Sequence, residues 1–137
     1  MPSMVRHMAE WEWLDLAKHK GGALTKLLVT EESCGSKNID FYISSYRPQA
    51  YAEMHMHEKS EEVFYFLSGD GLFIMGDTKH RVGPGTVIYV PPKTLHGIFN
   101  TGLVDLVFVV TATPPEPAWH EAYVPLFPPP EPTDPKL

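Results

Sequence analysis

The chain is poor in cysteine, in positive charge and in long apolar runs. Cys34 is the single cysteine among 137 residues. No internal disulfide can form, so the fold must rest on packing rather than on an oxidising compartment. Nothing near Cys34 in the sequence resembles an activating base, and it reads as an ordinary loop or core thiol. Eleven basic residues stand against 17 acidic ones, for a net charge of -6. A phosphate backbone calls for clustered Lys and Arg, so no nucleic-acid partner is expected. No run of about 18 apolar residues occurs, which excludes a helical membrane span and a membrane partner. The opening MPSMVRHMAEWEW lacks the apolar centre of a secretion signal, so the expected location is cytoplasmic.

What remains is an ordinary soluble composition, with 43% apolar residues. The length fits one domain, which at this size buries roughly two thirds of its unfolded surface. The expected domain runs over residues 1–127, followed by a proline-rich tail over 128–137. Nine of the 14 prolines lie from Pro114 onward. Proline cannot donate to a sheet ladder, so this end reads as extended. Trp119, Tyr123, Leu126 and Phe127 punctuate it, which suggests packing on the domain or on a second copy.

Residues 8–20 admit two readings. Met8, Trp11, Leu14 and Ala17 recur at helical spacing, with Gly21-Gly22 as a stop. Trp11 to Leu14 also alternates as an edge strand would. From residue 23 onward the pattern is β. Strands are expected over 24–30, 39–46, 51–57, 62–67, 72–75, 86–90, 96–99 and 103–111. Turn signals such as Ser68-Gly69-Asp70-Gly71 and Gly83-Pro84-Gly85 separate them. Many short strands with frequent turns indicate an all-β sandwich or barrel, and a jelly roll is the closure that protects strand edges.

His55 and His57 are two residues apart, so on a strand both imidazoles project from one face. Glu62 begins the next strand, within reach of a hairpin. His96 follows Pro91-Pro92 and can face the pair across a barrel. Three imidazole nitrogens and a carboxylate oxygen suit a borderline divalent ion. Four protein ligands leave octahedral positions open for substrate, water or dioxygen.

The spacings resemble the two motifs of the cupin superfamily. The first, G-x5-H-x-H-x3or4-E-x6-G, is met here by Gln49, His55, His57, Glu62 and Gly69. The second, G-x5-P-x-G-x2-H-x3-N, is met by Gly85, Pro91, Lys93, His96 and Asn100. Gln49 and Lys93 replace glycines at turn positions, while all four ligand positions are kept. The resemblance implies a double-stranded β-helix (jelly-roll) barrel holding one divalent metal ion, with Fe(II) or Mn(II) first and Zn, Ni, Co or Cu as further options. It also implies a homodimer, since small cupin barrels pair sheets or exchange N-terminal strands.

Strand alternation adds a pocket. Tyr51 and Glu53 share a face with the first two histidines, Phe64 and Phe66 with Glu62, and Ile98 and Asn100 with His96. Tyr42, Tyr46, Arg47 and Phe108 are expected to complete a mostly aromatic pocket for a small, partly apolar substrate. Glu53 is the candidate acid or base. His7, His19, His80 and His120 show no ligand spacing and read as surface residues. Three functions fit. The first is a metal-dependent oxygenase (a dioxygenase). The second is a lyase, isomerase or decarboxylase using the metal as Lewis acid with Glu53 moving the proton. The third is a non-catalytic binding module.

Overall fold

The computed structural model describes residues 3–115. The expected boundary at 127, the tail over 128–137, His120 and the aromatic residues from Trp119 on lie outside the described residues. The described residues form ten strands: β1 (His19–Lys20), β2 (Ala23–Val29), β3 (Asp40–Tyr46), β4 (Tyr51–His55), β5 (Glu61–Ser68), β6 (Gly71–Met75), β7 (Thr78–Val82), β8 (Val87–Val90), β9 (His96–Asn100) and β10 (Leu106–Thr113). They build two five-stranded antiparallel sheets, ordered β1-β4-β9-β6-β7 and β2-β3-β10-β5-β8. This is the expected all-β jelly roll.

The residues explain the strands. β5 alternates strictly, with Glu62, Phe64 and Phe66 buried and Glu61, Val63, Tyr65 and Leu67 outside. Phe64, Phe66, Phe73, Leu106, Phe108 and Val110 meet between the sheets. Each fully buried Phe or Leu there contributes on the order of 2–3 kcal/mol. The turn after β5 needs a glycine. Gly69 has φ of 86°, and a Cβ there would come within 2.4 Å of the Asp105 carbonyl oxygen.

Residues 8–20 satisfy both readings in part. A 3-10 turn covers Met8–Glu10, Leu14 forms a lone bridge to Thr25, and β1 pairs with β4. Two elements depart from the expected pattern. A short helix, α1 (Glu31–Cys34), follows β2, capped at Thr30, whose side chain accepts from Ser33 N. It is one turn long, too short for periodicity to reveal. β7 was not among the expected strands, because four of its five residues are exposed and nothing alternates.

Candidate metal centre

The two sheets supply the site from opposite sides. His55 ends β4 and His96 begins β9, and the two are register partners. Glu62 reaches in from β5 of the other sheet. His57 lies just past β4. The imidazole nitrogens of His55, His57 and His96 come within 4.8 Å of one another, close enough to hold a metal ion. Oε1 of Glu62 lies 3.0 Å from Nε2 of His96 and 3.3 Å from Nε2 of His57. The sequence reading placed these four residues together, and they are together.

Hydrogen bonds set the direction of each donor atom. Nδ1 of His55 is 2.6 Å from the Glu53 carbonyl oxygen, and Nδ1 of His96 is 2.8 Å from that of Thr94. A carbonyl oxygen only accepts, so each Nδ1 carries the hydrogen and each Nε2 keeps a lone pair. Tyr42 donates its hydroxyl to Oε2 of Glu62 at 2.8 Å, leaving Oε1 to face the histidines. Among the described residues, buried Glu62 Oε1 and His96 Nε2 have no hydrogen-bond partner. Two acceptors 3.0 Å apart repel, and a cation between them converts that cost into ligation. The donor set therefore fits a divalent ion.

Electrostatics agree. Burial lowers the basicity of His55 well below the ordinary range, and the neighbouring His96 and His57 lower it further. A neutral imidazole is the form that binds metal. Burial alone would raise the Glu62 pKa, but when His57 and His96 carry a second proton their hydrogen bonds and charge outweigh it and hold the carboxyl well below its usual range.

A small cavity adjoins this cluster. His19, Tyr42, Ser44, Tyr46, Ala52, His55, Glu62, Phe64, Ile98 and Phe108 line it. It gives about 10 Å³ to the centre of a water-sized group, which is room for roughly one water molecule. Of the expected pocket residues, Tyr42, Tyr46, Phe64, Ile98 and Phe108 are present in its wall.

Six residues lie elsewhere than expected: four of the pocket, the candidate acid or base, and one histidine. Between β4 and β9 the register shifts: Ala52 pairs with Ile98 but His55 pairs with His96. Two residues of β4 therefore oppose one of β9, a bulge that moves the inner face from Ala52 to His55. Tyr51 consequently lies on the other face, stacked on Phe99 at 5.5 Å and packed with Ile74. Glu53 falls in the bulge. It is 1% exposed, its Oε1 is 3.7 Å from Lys20 Nζ, and it is absent from the cavity wall. Arg47 is exposed, with its aliphatic stem over Gly22. Asn100 is structural: Nδ2 donates to the Tyr46 and Val104 carbonyls, and Oδ1 accepts from Gly102 N. Phe66 is wholly buried core rather than pocket.

His19 is the residue that sequence reasoning missed. It is buried and lines the cavity, with its ring edge-on to Tyr46 at 6.2 Å. Its strand is two residues long, and its pairing with Ala52 is non-local. No spacing in the sequence signals that placement. His7 and His80 are exposed, as expected.

The glycine replacements also show their cost. Gln49 and Lys93 have φ of 72° and 62°, the left-handed region that glycine adopts freely. Lys93 N donates to the His57 carbonyl oxygen at 2.8 Å, tying the loop before His96 to the first histidine pair.

Comparison with known proteins agrees with this architecture. The Cupin domain family model matches residues 42–112. The chain belongs to the cupin domain family. An uncharacterized protein of Methanocaldococcus jannaschii is 44% identical over 62 residues, 45% of this chain and 50% of that protein. An oxalate-binding protein of Thermotoga maritima is 29% identical over 90 residues, 66% of this chain and 74% of that protein. A crystal structure of a predicted oxalate decarboxylase, also from Thermotoga maritima, superposes with a TM-score of 0.72 at 26% identity, covering 80% of this chain and 98% of the other. This cupin spans about half the length of the first curated relatives that it matches. Cupins similar to it include enzymes, and the three histidines support a divalent metal.

Proposed function

We propose that this cupin is a metal-dependent enzyme of the non-haem Fe(II) or Mn(II) oxygenase (dioxygenase) kind, acting on a small organic acid, with His55, His57, Glu62 and His96 as metal ligands. The reading rests chiefly on one observation. Glu62 Oε1 meets two imidazole Nε2 atoms at 3.0 and 3.3 Å in a buried place. When bound, the ion supplies Lewis acidity or redox capacity and a point of attachment for a carboxylate. The chain does the rest. Backbone carbonyls aim His55 and His96, Tyr42 fixes the Glu62 carboxylate, and Phe64, Ile98 and Phe108 keep water out.

The substrate class follows from size. The cavity admits about one water-sized group, so a small acid fits better than a large apolar molecule. The likeness to a protein named for oxalate binding supports the same class. Among the described residues, Glu62 is the only carboxylate in the cavity wall. An oxygenase asks less of a proton-moving side chain than an isomerase does, so we place it first.

A second reading, a lyase, isomerase or decarboxylase, draws support from His19 in the wall, with Glu53 removed from the role of base. Relatives named glucose-6-phosphate isomerase, one of them from Thermococcus onnurineus at 35% identity over 78 residues, favour it too. The test is oxygen uptake by the iron-loaded protein with a panel of small 2-oxo and 2-hydroxy acids. Oxygen consumed in step with acid lost supports the oxygenase. Acid lost without oxygen supports the second reading, and no turnover of any acid contradicts both and leaves a binding module.

We also propose a homodimer in the cytoplasm. Val63, Tyr65, Leu67, Val87 and Tyr89 form an exposed apolar stripe on β5 and β8, with Val63 opposite Tyr89 and Tyr65 opposite Val87. A second copy would bury such a patch. Light scattering at the monomer mass would remove the dimer.

A further inference from the structure

The metal cluster is closed on most sides and open on one. The side chains of Glu62 and His96 are 3% and 1% exposed, while that of His57 is 12% exposed. The side toward His57 is therefore the way in. The loop over residues 91–95 borders it, joining β8 of one sheet to β9 of the other. This loop is pinned twice to the cluster. Lys93 N donates to the His57 carbonyl oxygen at 2.8 Å, and the Thr94 carbonyl oxygen accepts from Nδ1 of His96 at 2.8 Å. Pro91 and Pro92 stiffen its start.

Lys93 is the cation on that loop. Its side chain is exposed, and among the described residues it forms no ion pair. Its backbone φ of 62° is one that glycine would hold with less strain. The lysine is therefore kept against a local cost, at the entrance to the cluster. Its flexible four-carbon stem lets the ammonium reach over that entrance. The surroundings give a cation there something to do. The chain carries a net charge of -6, and Glu58 and Glu61 are exposed on the stretch between His57 and Glu62, with exposed Lys59 between them. An overall negative field repels anions, and a cation at the entrance offsets it locally.

We propose that Lys93 is a specificity-determining residue that selects carboxylate anions over neutral ligands at the mouth of the metal centre. This rests on the reading of the site as a metal centre for small organic acids. Lys93 acts as a point charge beside the entrance and takes no part in holding the metal. Its backbone N–H fixes the loop and its side chain supplies the charge, so substitution separates the two. Lys93→Gln removes the charge while keeping the Cβ and the backbone N–H.

The test is spectroscopic titration of the full-length chain loaded with Co(II), at low salt and near pH 8, where imidazole is neutral. The probes are oxalate, a dianion, and imidazole, a neutral ligand that reports open metal positions whatever the charge around them. Lys93→Gln should load with cobalt as wild type does. It should weaken oxalate binding about three- to fivefold, the worth of one charge near a dianion in water, and leave imidazole affinity within about twofold. The oxalate difference should vanish in about 1 M salt, where screening acts within about 3 Å. Lys93→Arg should bind oxalate as wild type does. If Lys93→Gln binds oxalate as tightly as wild type, if it loses oxalate and imidazole alike, or if Lys93→Arg loses as much oxalate affinity as Lys93→Gln, the assignment of Lys93 is overturned. If the cobalt-loaded wild type binds imidazole but not oxalate, the small-acid reading fails and takes this assignment with it. A wild type that takes up no cobalt ends the metal reading and both proposals together.

Discussion

Nε2 of His96 and Oε1 of Glu62 stand 3.0 Å apart, both buried, and while His96 is neutral neither has a hydrogen to offer the other. Left without a cation, such a buried pair costs roughly 1–3 kcal/mol for each unsatisfied atom. Folding nevertheless delivers the two atoms to this spacing from opposite sheets. The arrangement is therefore costly alone and favourable around a cation, and that asymmetry links the fold to its proposed chemistry.

Tyr42 controls which oxygen of Glu62 faces the histidines. Tyr42→Phe removes the 2.8 Å bond to Oε2 and lets the carboxylate turn. Partners of this kind change metal affinity by about 10- to 100-fold. Metal affinity measured by chelator competition should fall by about tenfold, with the secondary structure by circular dichroism unchanged.

Acid should destabilise the metal-free protein in two steps. His55 and His19 have basicity lowered by burial, so below the ordinary histidine value near 6.5 the unfolded chain binds more protons than the folded one. Stability then falls as pH falls through that window. Glu62 is also held below its usual range, so a second loss begins below about pH 4.5 by the same sign. Urea unfolding of the metal-free protein should give a lower midpoint at pH 5.5 than at pH 7.5, and a lower one again at pH 4.

The left-handed backbone at Gln49 and Lys93 costs about 1 kcal/mol at each position. Gln49→Gly and Lys93→Gly should each raise stability by up to about 0.5 kcal/mol in denaturant unfolding, after allowing for the freedom glycine gains in the unfolded chain. A loss of stability in both would show that the side chains matter more than the backbone strain.

Glu53 lies in the bulge, against Lys20 and away from the cavity. Glu53→Gln should leave metal content unchanged and turnover within about twofold, because the side chain sits 3.7 Å from Lys20 Nζ and outside the cavity wall. A large loss of turnover with the metal retained would return Glu53 to the role of acid or base.

The sequence carried most of the fold and the convergence of His55, His57, Glu62 and His96, for local reasons. Strict alternation through Glu62, Phe64 and Phe66 identifies β5 and its inner face. His55, His57, Glu62 and His96 follow a spacing that turns and strands convert directly into proximity. What stayed hidden depends on non-local pairing. The bulge opposite Gly97 shows only in the register of β4 against β9, yet it moves Tyr51 and Glu53 out of the pocket. His19 enters the cavity through a two-residue strand that no pattern announces. Asn100 looks like a pocket residue by alternation, but its side chain closes the turn before β10 through three hydrogen bonds.

The central claim is a metal ion held by the four converging side chains. The most direct measurement is metal content by mass spectrometry on wild type and His57→Ala, both expressed in medium with mixed trace metals. The account predicts about one divalent ion per chain in wild type and a large loss in the variant, because removing one ligand of four exposes the ion to release. Wild-type protein that takes up no metal even after reconstitution would contradict it, as would a variant that keeps the full amount.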